Sequence, residues 1–436
     1  MSVFDLAELA ADVGPNPRTI GVLLELDGPA PGLDAVRAGM RARLGLVPRL
    51  SQRMRAVPFG AGRPVWEDVT VDLDHHVRGR SAVTADLLAL AADVLSEPLD
   101  PARPWWTLTV IDLPVEGRSA LVWSSHHALA DGPSVLRAVL AVVQDGPERP
   151  LLPRVAVPSG ARLAREAWTG RVRALRGIGS LPRRVLGLSE LGASSGTRVP
   201  RSVLNQPVTA GYTLRVVDVD LAALRAGSRA CSATVNDALL WAWGRALHSR
   251  LEAGGLARSA VVVSCTVTMP SAEIENRVGA IRFAVPAPGE YPAADLTALG
   301  AYTRRRKRWI SGASWWPVAQ LFRAVGALGL YRTFVERQRS ITSLVTNMRG
   351  PAEPLRVLGR GVTRAIPLAT LVGNVTTIAA ALSSGDRFVV TVMCAPEVGE
   401  LADALAGELR AGLEEIAQLS ARSADEGSWS RGPFTR

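Results

Sequence analysis

The chain reads SSHHALADG from Ser124 to Gly132. The apolar run before it, Ser119–Trp123, has the β-branched and aromatic composition of a strand. The residues after it, Pro133–Leu140, predict a helix with proline in its first turn. The two histidines in this stretch therefore lie where a strand ends and the chain turns into a helix. Since successive side chains of a strand point to opposite faces, only one of the two easily faces a given cavity.

This stretch has the residue types of a proton-transfer site. A histidine takes up and returns a proton near neutral pH, as a general base does. Asp131 is spaced either to orient an imidazole or to fix the turn by pairing with an arginine elsewhere. Gly132 permits a sharp turn because it has no Cβ atom. Two adjacent histidines followed by Asp-Gly at this spacing favour chemistry over ordinary core packing.

The pattern HHxxxDG at His126–Gly132 resembles the motif of the CoA-dependent acyltransferase superfamily, which includes chloramphenicol acetyltransferase and the condensation domains of peptide synthetases. Further segments resemble the bacterial wax ester synthase/diacylglycerol acyltransferase family in particular. In chain order they are Leu46–Leu50 (LVPRL), Gly62–Trp66 (GRPVW), Pro98–Trp106 (PLDPARPWW), Thr234–Asp237 (TVND) and Asn347–Pro351 (NMRGP). The resemblance covers most of the chain and is more specific in the first half than in the second.

The resemblance implies an α/β (α+β) fold of two chloramphenicol-acetyltransferase-like sandwich domains with a central channel. It implies an O-acyltransferase that uses acyl-CoA as co-substrate, needs no cofactor, and acylates diacylglycerol or a long-chain alcohol. By the same resemblance, His127 is the general base and His126 supports it. Asp131 then fixes the turn, and Gly132 leaves room for the substrate.

Asn236 and Asp237 begin a predicted helix in the second half. In the family this pair lies near the channel and supports activity, whereas helix capping alone also explains such residues at a helix start. Two positions nearby depart from the family pattern. Thr268 stands where an arginine is usual, and Glu275 precedes Asn276 where Gly-Asn is usual. Both departures concern the acceptor side rather than the base.

Composition excludes several classes of protein. Hydrophobic residues make up 47% and charged residues 21% of the 436 residues, as in ordinary globular proteins. The three scattered cysteines argue against a disulfide framework, and no Cys-x-x-Cys or His-Glu-x-x-His spacing indicates a metal site. The formal charge of +10 is carried almost entirely by arginine. It reflects either a GC-rich genome that encodes arginine in place of lysine or attraction to anionic partners such as CoA phosphates, acidic lipid or nucleic acid. No recognisable nucleic-acid module is present, so nucleic acid is not an expected partner.

Strands and helices alternate in two half-chains, which predicts four segments. They are an N-terminal domain at 1–145, a crossover at 146–205, a second domain at 206–424 and a mobile tail at 425–436. The crossover contains a predicted basic helix, Ala161–Leu175. No signal peptide and no apolar window of about 18 residues are found, so we expect a cytoplasmic protein that meets the inner membrane or lipid droplets only peripherally.

Three other features have weaker functional interpretations. The pair His75–His76 lacks a following Asp-Gly and is interpreted as structural. Gly192–Gly196 matches G-x-S-x-G but lies in a small-residue segment rather than between a strand and a helix. The cluster Arg304–Trp309 with Trp315–Trp316 is either a solvated helix face or a surface for CoA phosphates or membrane.

Two alternatives to triacylglycerol or wax ester synthesis stay open. One keeps the fold and the chemistry but changes the acceptor to a hydroxylated polyketide or a glycolipid. The other is a degenerate paralogue that binds lipid without catalysis. The intact motif argues against the second alternative, while Thr268 and Glu275 argue mildly for it.

Overall fold

A computed structural model describes residues 1–58, 62–81, 86–115, 117–149, 159–176, 197–257, 259–268, 276, 278–308 and 315–429. The helices are α1 (Val3–Ala10), α2 (Leu33–Arg43), α3 (Leu73–His76), α4 (Leu87–Ser96), α5 (Gly132–Val143), α6 (Gly160–Arg176), α7 (Leu221–Ala230), α8 (Val235–Ala253), α9 (Pro292–Arg308), α10 (Trp315–Ala327), α11 (Tyr331–Glu336) and α12 (Ala402–Trp429). The strands are β1 (Thr19–Leu26), β2 (Gln52–Arg55), β3 (Val65–Asp68), β4 (Val77–Ser81), β5 (Trp106–Leu113), β6 (Arg118–His126), β7 (Thr213–Asp220), β8 (Val261–Thr268), β9 (Val278–Val285), β10 (Ser343–Arg349), β11 (Arg356–Val357), β12 (Arg360–Leu368), β13 (Thr377–Ser384) and β14 (Arg387–Cys394).

The first sheet positions the histidine motif. Its strand order is β11-β12-β1-β6-β5-β4, antiparallel except between β4 and β5. All residues of β1, and all of β6 after Arg118, are buried. Continuous apolar strands are expected where both faces of a sheet are covered. Here α2 and α5 pack on one face and α4 on the other.

The second sheet has the order β7-β14-β13-β10-β8-β9, with parallel pairing of β10 to both of its neighbours. Helices α7, α8 and α12 pack against one another and against this sheet. A separate antiparallel ribbon of β2 and β3 belongs to the first half. The mixed α/β architecture agrees with the predicted fold class.

One segment of the expected second domain lies in the first sheet. Strand β12 pairs antiparallel with β1, with Leu23 opposite Ile366, and β11 extends the same edge. The pairing covers the edge of β1 that would otherwise present unpaired backbone groups. Sheet membership therefore does not follow chain order, because an edge strand is chosen by available hydrogen bonds and not by sequence proximity.

One buried apolar cluster extends across both lobes. Residues of α4 and of β5 and β6, such as Leu95 and Ile111, belong to the same buried cluster as Leu240 and Val392 of the second half. Helix α4 lies between the two sheets and contacts both β1 and β7. The lobes are therefore joined by side-chain packing as well as by the pairing of β12 with β1.

Several predicted elements have different bounds from those expected. The sequence predicts one helix over Pro317–Gln338, but α10 and α11 are separate because Gly329 adopts a positive φ of 69° between them. Helix α12 continues to Trp429, so the first residues of the expected tail are helical, and 430–436 lie outside the described residues. The predicted crossover helix is present as α6.

Candidate active site

The histidine motif has the predicted strand–turn–helix geometry. His126 is the last residue of β6, and its carbonyl oxygen accepts a hydrogen bond from the Leu129 N–H group at 2.9 Å, which closes the turn. Asp131 caps α5, with its side chain accepting a hydrogen bond from the Ser134 N–H group at 3.0 Å. Asp131 is buried, so its observed contact is consistent with the predicted role in fixing the turn.

Both ring nitrogens of His126 are engaged. Nδ1 accepts a hydrogen bond from the Ala128 N–H group at 2.9 Å, so the ring proton lies on Nε2. Nε2 then donates to the Asp12 carboxylate at 3.1 Å, and the ring lies 4.9 Å from that of Trp105. The buried His126 ring therefore has no nitrogen left to accept a substrate proton.

The His127 ring is in a different state. Its side chain is 16% exposed, and Nδ1 lies 3.9 Å from Oε2 of Glu8. Among the described residues, neither ring nitrogen of His127 makes a hydrogen bond. Burial lowers the pKa of the imidazole, and although Glu8 raises it, the pKa remains below its usual value. A neutral His127 with an available nitrogen is able to accept a proton near pH 7.

Glu8 is held as a carboxylate by an arginine. Nε and Nη2 of Arg18 donate to Oε2 of Glu8 at 2.9 and 2.7 Å. Burial by itself raises the pKa of Glu8, but the charges of Arg18 and His127 and the hydrogen bond from Arg18 together lower it to about 2. The Arg18 carbonyl oxygen also accepts the His127 N–H group at 2.7 Å, so the pair is tied to the motif through the backbone.

Gly132 provides space for a residue of the other lobe. A Cβ atom at this position would lie 2.8 Å from Sδ of Met348, which is on β10 of the second sheet. The resemblance implied that Gly132 leaves room for substrate. In this structure, the space that a Cβ atom would occupy is next to the Met348 side chain. Contact between α5 and β10 is one of the places where the lobes meet.

Asp237 has a structural role at the start of α8. It forms a capping box with Thr234, and its Oδ1 atom accepts a hydrogen bond from the Thr303 hydroxyl group at 2.6 Å. Asn236 is half-buried and its Oδ1 accepts a hydrogen bond from the Asn347 side chain at 3.4 Å. The capping interpretation thus explains Asp237, while Asn236 joins α8 to the NMRGP segment.

Sequence reasoning missed the acids of α1 and the role of Asn276. Helix α1 places Asp5 and Glu8 near the motif, with Asp12 just beyond its end. The Asn276 side chain donates to the His127 carbonyl oxygen at 2.6 Å and is only 2% exposed. The sequence did contain an indication of Asn276, because it is the Asn of the Gly-Asn pattern of the family. Glu275 replaces the Gly of that pattern.

Other predicted features are not part of this site or lie outside the described residues. His76 is buried, stacks on Trp106 and donates from Nδ1 to the Trp106 carbonyl oxygen, which agrees with a structural role. Gly192–Gly196 and Glu275 lie outside the described residues, as does the Thr268 side chain. Within the described part of the chain, no group of three or more His, Cys, Asp or Glu residues is arranged to hold a metal ion.

Family comparisons agree with this geometry. The model of the wax ester synthase/diacylglycerol acyltransferase catalytic domain matches residues 1–239, which include the complete histidine motif. The model of the C-terminal domain of the same family matches residues 274–417. The chain belongs to the wax ester synthase/diacylglycerol acyltransferase family. The expectation of an acyltransferase is confirmed at this level.

Individual members of the family are similar over most of their length. A Mycobacterium tuberculosis protein described as a probable diacylglycerol O-acyltransferase is 27% identical over 93% of this chain and 91% of its own length. A Mycobacterium bovis protein described as a putative diacylglycerol O-acyltransferase is 28% identical, and the match covers 72% of this chain and 69% of that protein.

Solved structures confirm the two-domain fold. The wax ester synthase/diacylglycerol acyltransferase from Marinobacter aquaeolei has a TM-score of 0.65 at 21% identity, covering 95% of this chain and 98% of that one. The first condensation domain of the CDA synthetase has a TM-score of 0.60 at 15% identity, covering 97% and 95%. In the described ranges, none of the helices has the length and apolar character needed to cross a membrane.

Proposed function

We propose that this protein transfers a fatty acyl group from acyl-CoA to the hydroxyl group of diacylglycerol or a long-chain alcohol, with His127 as general base. The observation that carries the proposal is the state of the His127 ring. It is partly exposed, its pKa is lowered by burial, and Nε2 has no hydrogen-bond partner among the described residues. Such an imidazole accepts a proton readily. Family membership supplies the reaction class.

The proposed reaction needs no covalent enzyme intermediate and no cofactor, because the thioester of acyl-CoA is already activated. His127 takes the hydroxyl proton on Nε2 while the alcohol oxygen forms a bond to the thioester carbonyl carbon. The carbon–sulfur bond then breaks. The imidazolium returns its proton to the sulfur, so that the products are an ester and free CoA thiol.

Diacylglycerol is the acceptor best supported. The mycobacterial relatives described as probable or putative diacylglycerol O-acyltransferases are 27–28% identical to this chain over most of their length. A hydroxylated polyketide or glycolipid acceptor would use the same base, so the acceptor is decided by turnover with a substrate panel. A lipid-binding protein without catalysis would bind diacylglycerol and show no turnover of acyl-CoA.

The test is an acyl-CoA assay on the His127→Ala variant. We expect the rate of ester formation to fall by roughly 10²- to 10⁴-fold, as for loss of a general base, with the thermal unfolding transition retained. His75→Ala is the matched control, since His75 is half-buried on α3 and should be dispensable for turnover. Full activity of His127→Ala would remove the proposed mechanism, and turnover with the panel identifies the acceptor.

The proposal includes docking at a membrane or lipid-droplet surface. Leu321, Leu328, Leu330 and Phe334, here called the apolar surface, are 52%, 71%, 54% and 45% exposed. All four belong to α10, α11 and the connection between these helices, and exposed apolar patches mark sites of lipid or protein association. Helix α10 packs against α1, the helix that carries Glu8. Docking there would bring a lipid acceptor close to the histidine motif.

A further inference from the structure

The Glu8–Arg18 pair lies directly against the ring of His127. The two side chains are only 22% and 14% exposed, and Glu8 Oε2 lies 3.9 Å from His127 Nδ1. Nδ1 is buried, and no hydrogen-bond partner for it exists among the described residues. Glu8 is thus the carboxylate nearest to this nitrogen, and the two form an ion pair only when the ring is protonated. The 3.9 Å separation exceeds a hydrogen bond, so Glu8 acts on the ring through its charge.

We propose that Glu8 is a positioning residue for His127: its carboxylate, fixed by Arg18, holds the imidazole proton on Nδ1 and leaves Nε2 to accept the substrate proton. This inference rests on the proposed function of His127 as base. A carboxylate beside one ring nitrogen selects the tautomer with the proton on that nitrogen and stabilises the imidazolium formed during proton transfer. Glu8 does not itself take up the proton.

Arg18 gives Glu8 this role by fixing both its charge and its position. Two hydrogen bonds from one guanidinium group to Oε2 hold the carboxylate in place. The Arg18 carbonyl oxygen accepts the His127 N–H group, so Glu8 and the ring are positioned by the same residue. The second carboxylate near the motif, Asp12, is engaged with Nε2 of His126 and so serves the other ring.

The charges around His127 have opposing effects. Burial lowers the pKa of His127 most, Glu8 raises it and Arg18 lowers it. The contact of the ring with its own backbone and the charge of Asp131 raise it more weakly. Other titratable groups also face this cluster. Asp12 contacts His126, Asp5 contacts Asn276, and the phenols of Tyr331 and Tyr212 lie near Arg18. Removing the charge of Glu8 while keeping Arg18 therefore lowers the pKa of His127 further.

The experiment compares Glu8→Gln with the unaltered protein. We expect kcat to fall by about tenfold or more, because an orienting carboxylate is lost. We also expect the acidic limb of the kcat–pH profile to move to lower pH. The pKa of His127 is measured independently by NMR titration of histidine-labelled protein, with the resonance identified by its loss in His127→Ala among only five histidines.

Glu25→Gln is the matched control. Glu25 is 7% exposed and paired with Arg364 at 2.6 Å in the same lobe, but no histidine contact is found for it among the described residues. Its loss should affect folding stability and leave the pH profile unchanged. If Glu8→Gln fails to fold, Glu8→Asp is the variant to test. Because its carboxylate is shorter, we expect kcat to fall only in part and the acidic limb of the pH profile to shift less, in the same direction.

The outcomes separate the two proposals. A Glu8 variant whose pH profile and NMR titration match those of the unaltered protein overturns the positioning role of Glu8. An inactive His127→Ala variant would still support His127 as the base. An active His127→Ala variant would contradict the role of His127 as the base. The NMR titration of the Glu8 variant would then show whether Glu8 changes the pKa of the His127 ring. A lowered titration midpoint in the Glu8 variant, with Glu25→Gln unchanged, supports the inference.

Discussion

His126 and His127 are adjacent in sequence but differ in chemistry because of what each ring nitrogen contacts. Both nitrogens of His126 are engaged, by the Ala128 N–H group and the Asp12 carboxylate. His127 has a carboxylate on one side and no hydrogen bond to Nε2 among the described residues. Histidine acts as a base only through a nitrogen with a free lone pair. The local contacts therefore favour His127 over His126 as the base.

Gly132 allows close contact between the lobes, and Gly132→Ala tests this at the scale of one residue. The added Cβ atom would lie 2.8 Å from Sδ of Met348, so the methionine side chain or α5 has to move. We expect the variant to be destabilised by about 1–3 kcal/mol through overpacking. The measurement is the free energy of unfolding from denaturant titration.

The double variant Gly132→Ala/Met348→Ala is the control for that prediction. Removing most of the Met348 side chain makes room for the new methyl group, so the cost of Gly132→Ala should be smaller in this background. Equal costs in both backgrounds would mean that the contact with Met348 is not what requires glycine at this position.

At the scale of elements, α1 is short but decisive for the site. Its start is fixed by a capping box in which Ser2 and Asp5 exchange hydrogen bonds. Val3 and Ala7 of its apolar face are buried against Phe322 of α10. The helix therefore has one face packed by the second half of the chain and places Glu8 at His127.

The start of α8 gives a prediction that separates capping from chemistry. Asp237 uses one carboxylate oxygen for Thr234 and the other for Thr303. In Asp237→Asn only one oxygen can accept, so a buried hydrogen bond is lost. We expect a loss of about 1–3 kcal/mol in the free energy of unfolding, with the kcat–pH profile unchanged.

Asn236→Ala is the neighbouring comparison for Asp237→Asn. Asn236 makes only a 3.4 Å hydrogen bond with Asn347 among the described residues, so its loss should cost little stability. An altered pH profile in Asp237→Asn without a loss of stability would contradict the capping role and favour a direct role in the channel.

At the scale of the whole molecule, the lobes are joined in two ways. Strand β12 of the second half completes the first sheet beside β1, and the partly buried Glu25–Arg364 pair joins these two strands. The Asn276 side chain reaches from the second half to the His127 carbonyl oxygen. The motif is therefore held by both halves, and a first half expressed alone would lack these contacts.

The apolar surface gives a prediction for the intact protein. We expect Leu328→Ser/Leu330→Ser to reduce binding to anionic phospholipid vesicles and turnover of vesicle-borne diacylglycerol. Turnover of a short, soluble alcohol should be unchanged, because no residue of the histidine motif is altered. Vesicle co-sedimentation and the two turnover assays are the measurements.

Val115→Ser is the control for vesicle binding. Val115 is as exposed as Leu328, at 72% against 71%, but lies between β5 and β6 in the first lobe. Its substitution should leave vesicle binding unchanged. Equal loss in both variants would point to general surface hydrophobicity, and no loss in either would contradict docking through the apolar surface.

The sequence by itself determined the features that depend on neighbouring residues. Apolar runs and turn residues placed β6, the turn at Asp131 and α5 correctly, because strand and helix periodicity is a local property. The β-branched run Val261–Thr268 and the apolar run Val278–Val285 likewise predict strands, and β8 and β9 have these bounds. The spacing HHxxxDG indicated the acyltransferase superfamily, and the further short segments such as Pro98–Trp106 indicated the family, because each of these patterns lies within a few consecutive residues.

Only the tertiary structure decided what surrounds His127. Asp12 and His126 are 114 residues apart, and Asn276 and His127 are 149 apart. Glu8 lies in a short helix with no motif of its own, and β12 joins a sheet that is mostly formed by the other half. Contacts of this kind arise from burial of apolar faces and pairing of open strand edges, which bring distant residues together without leaving a local pattern in the sequence.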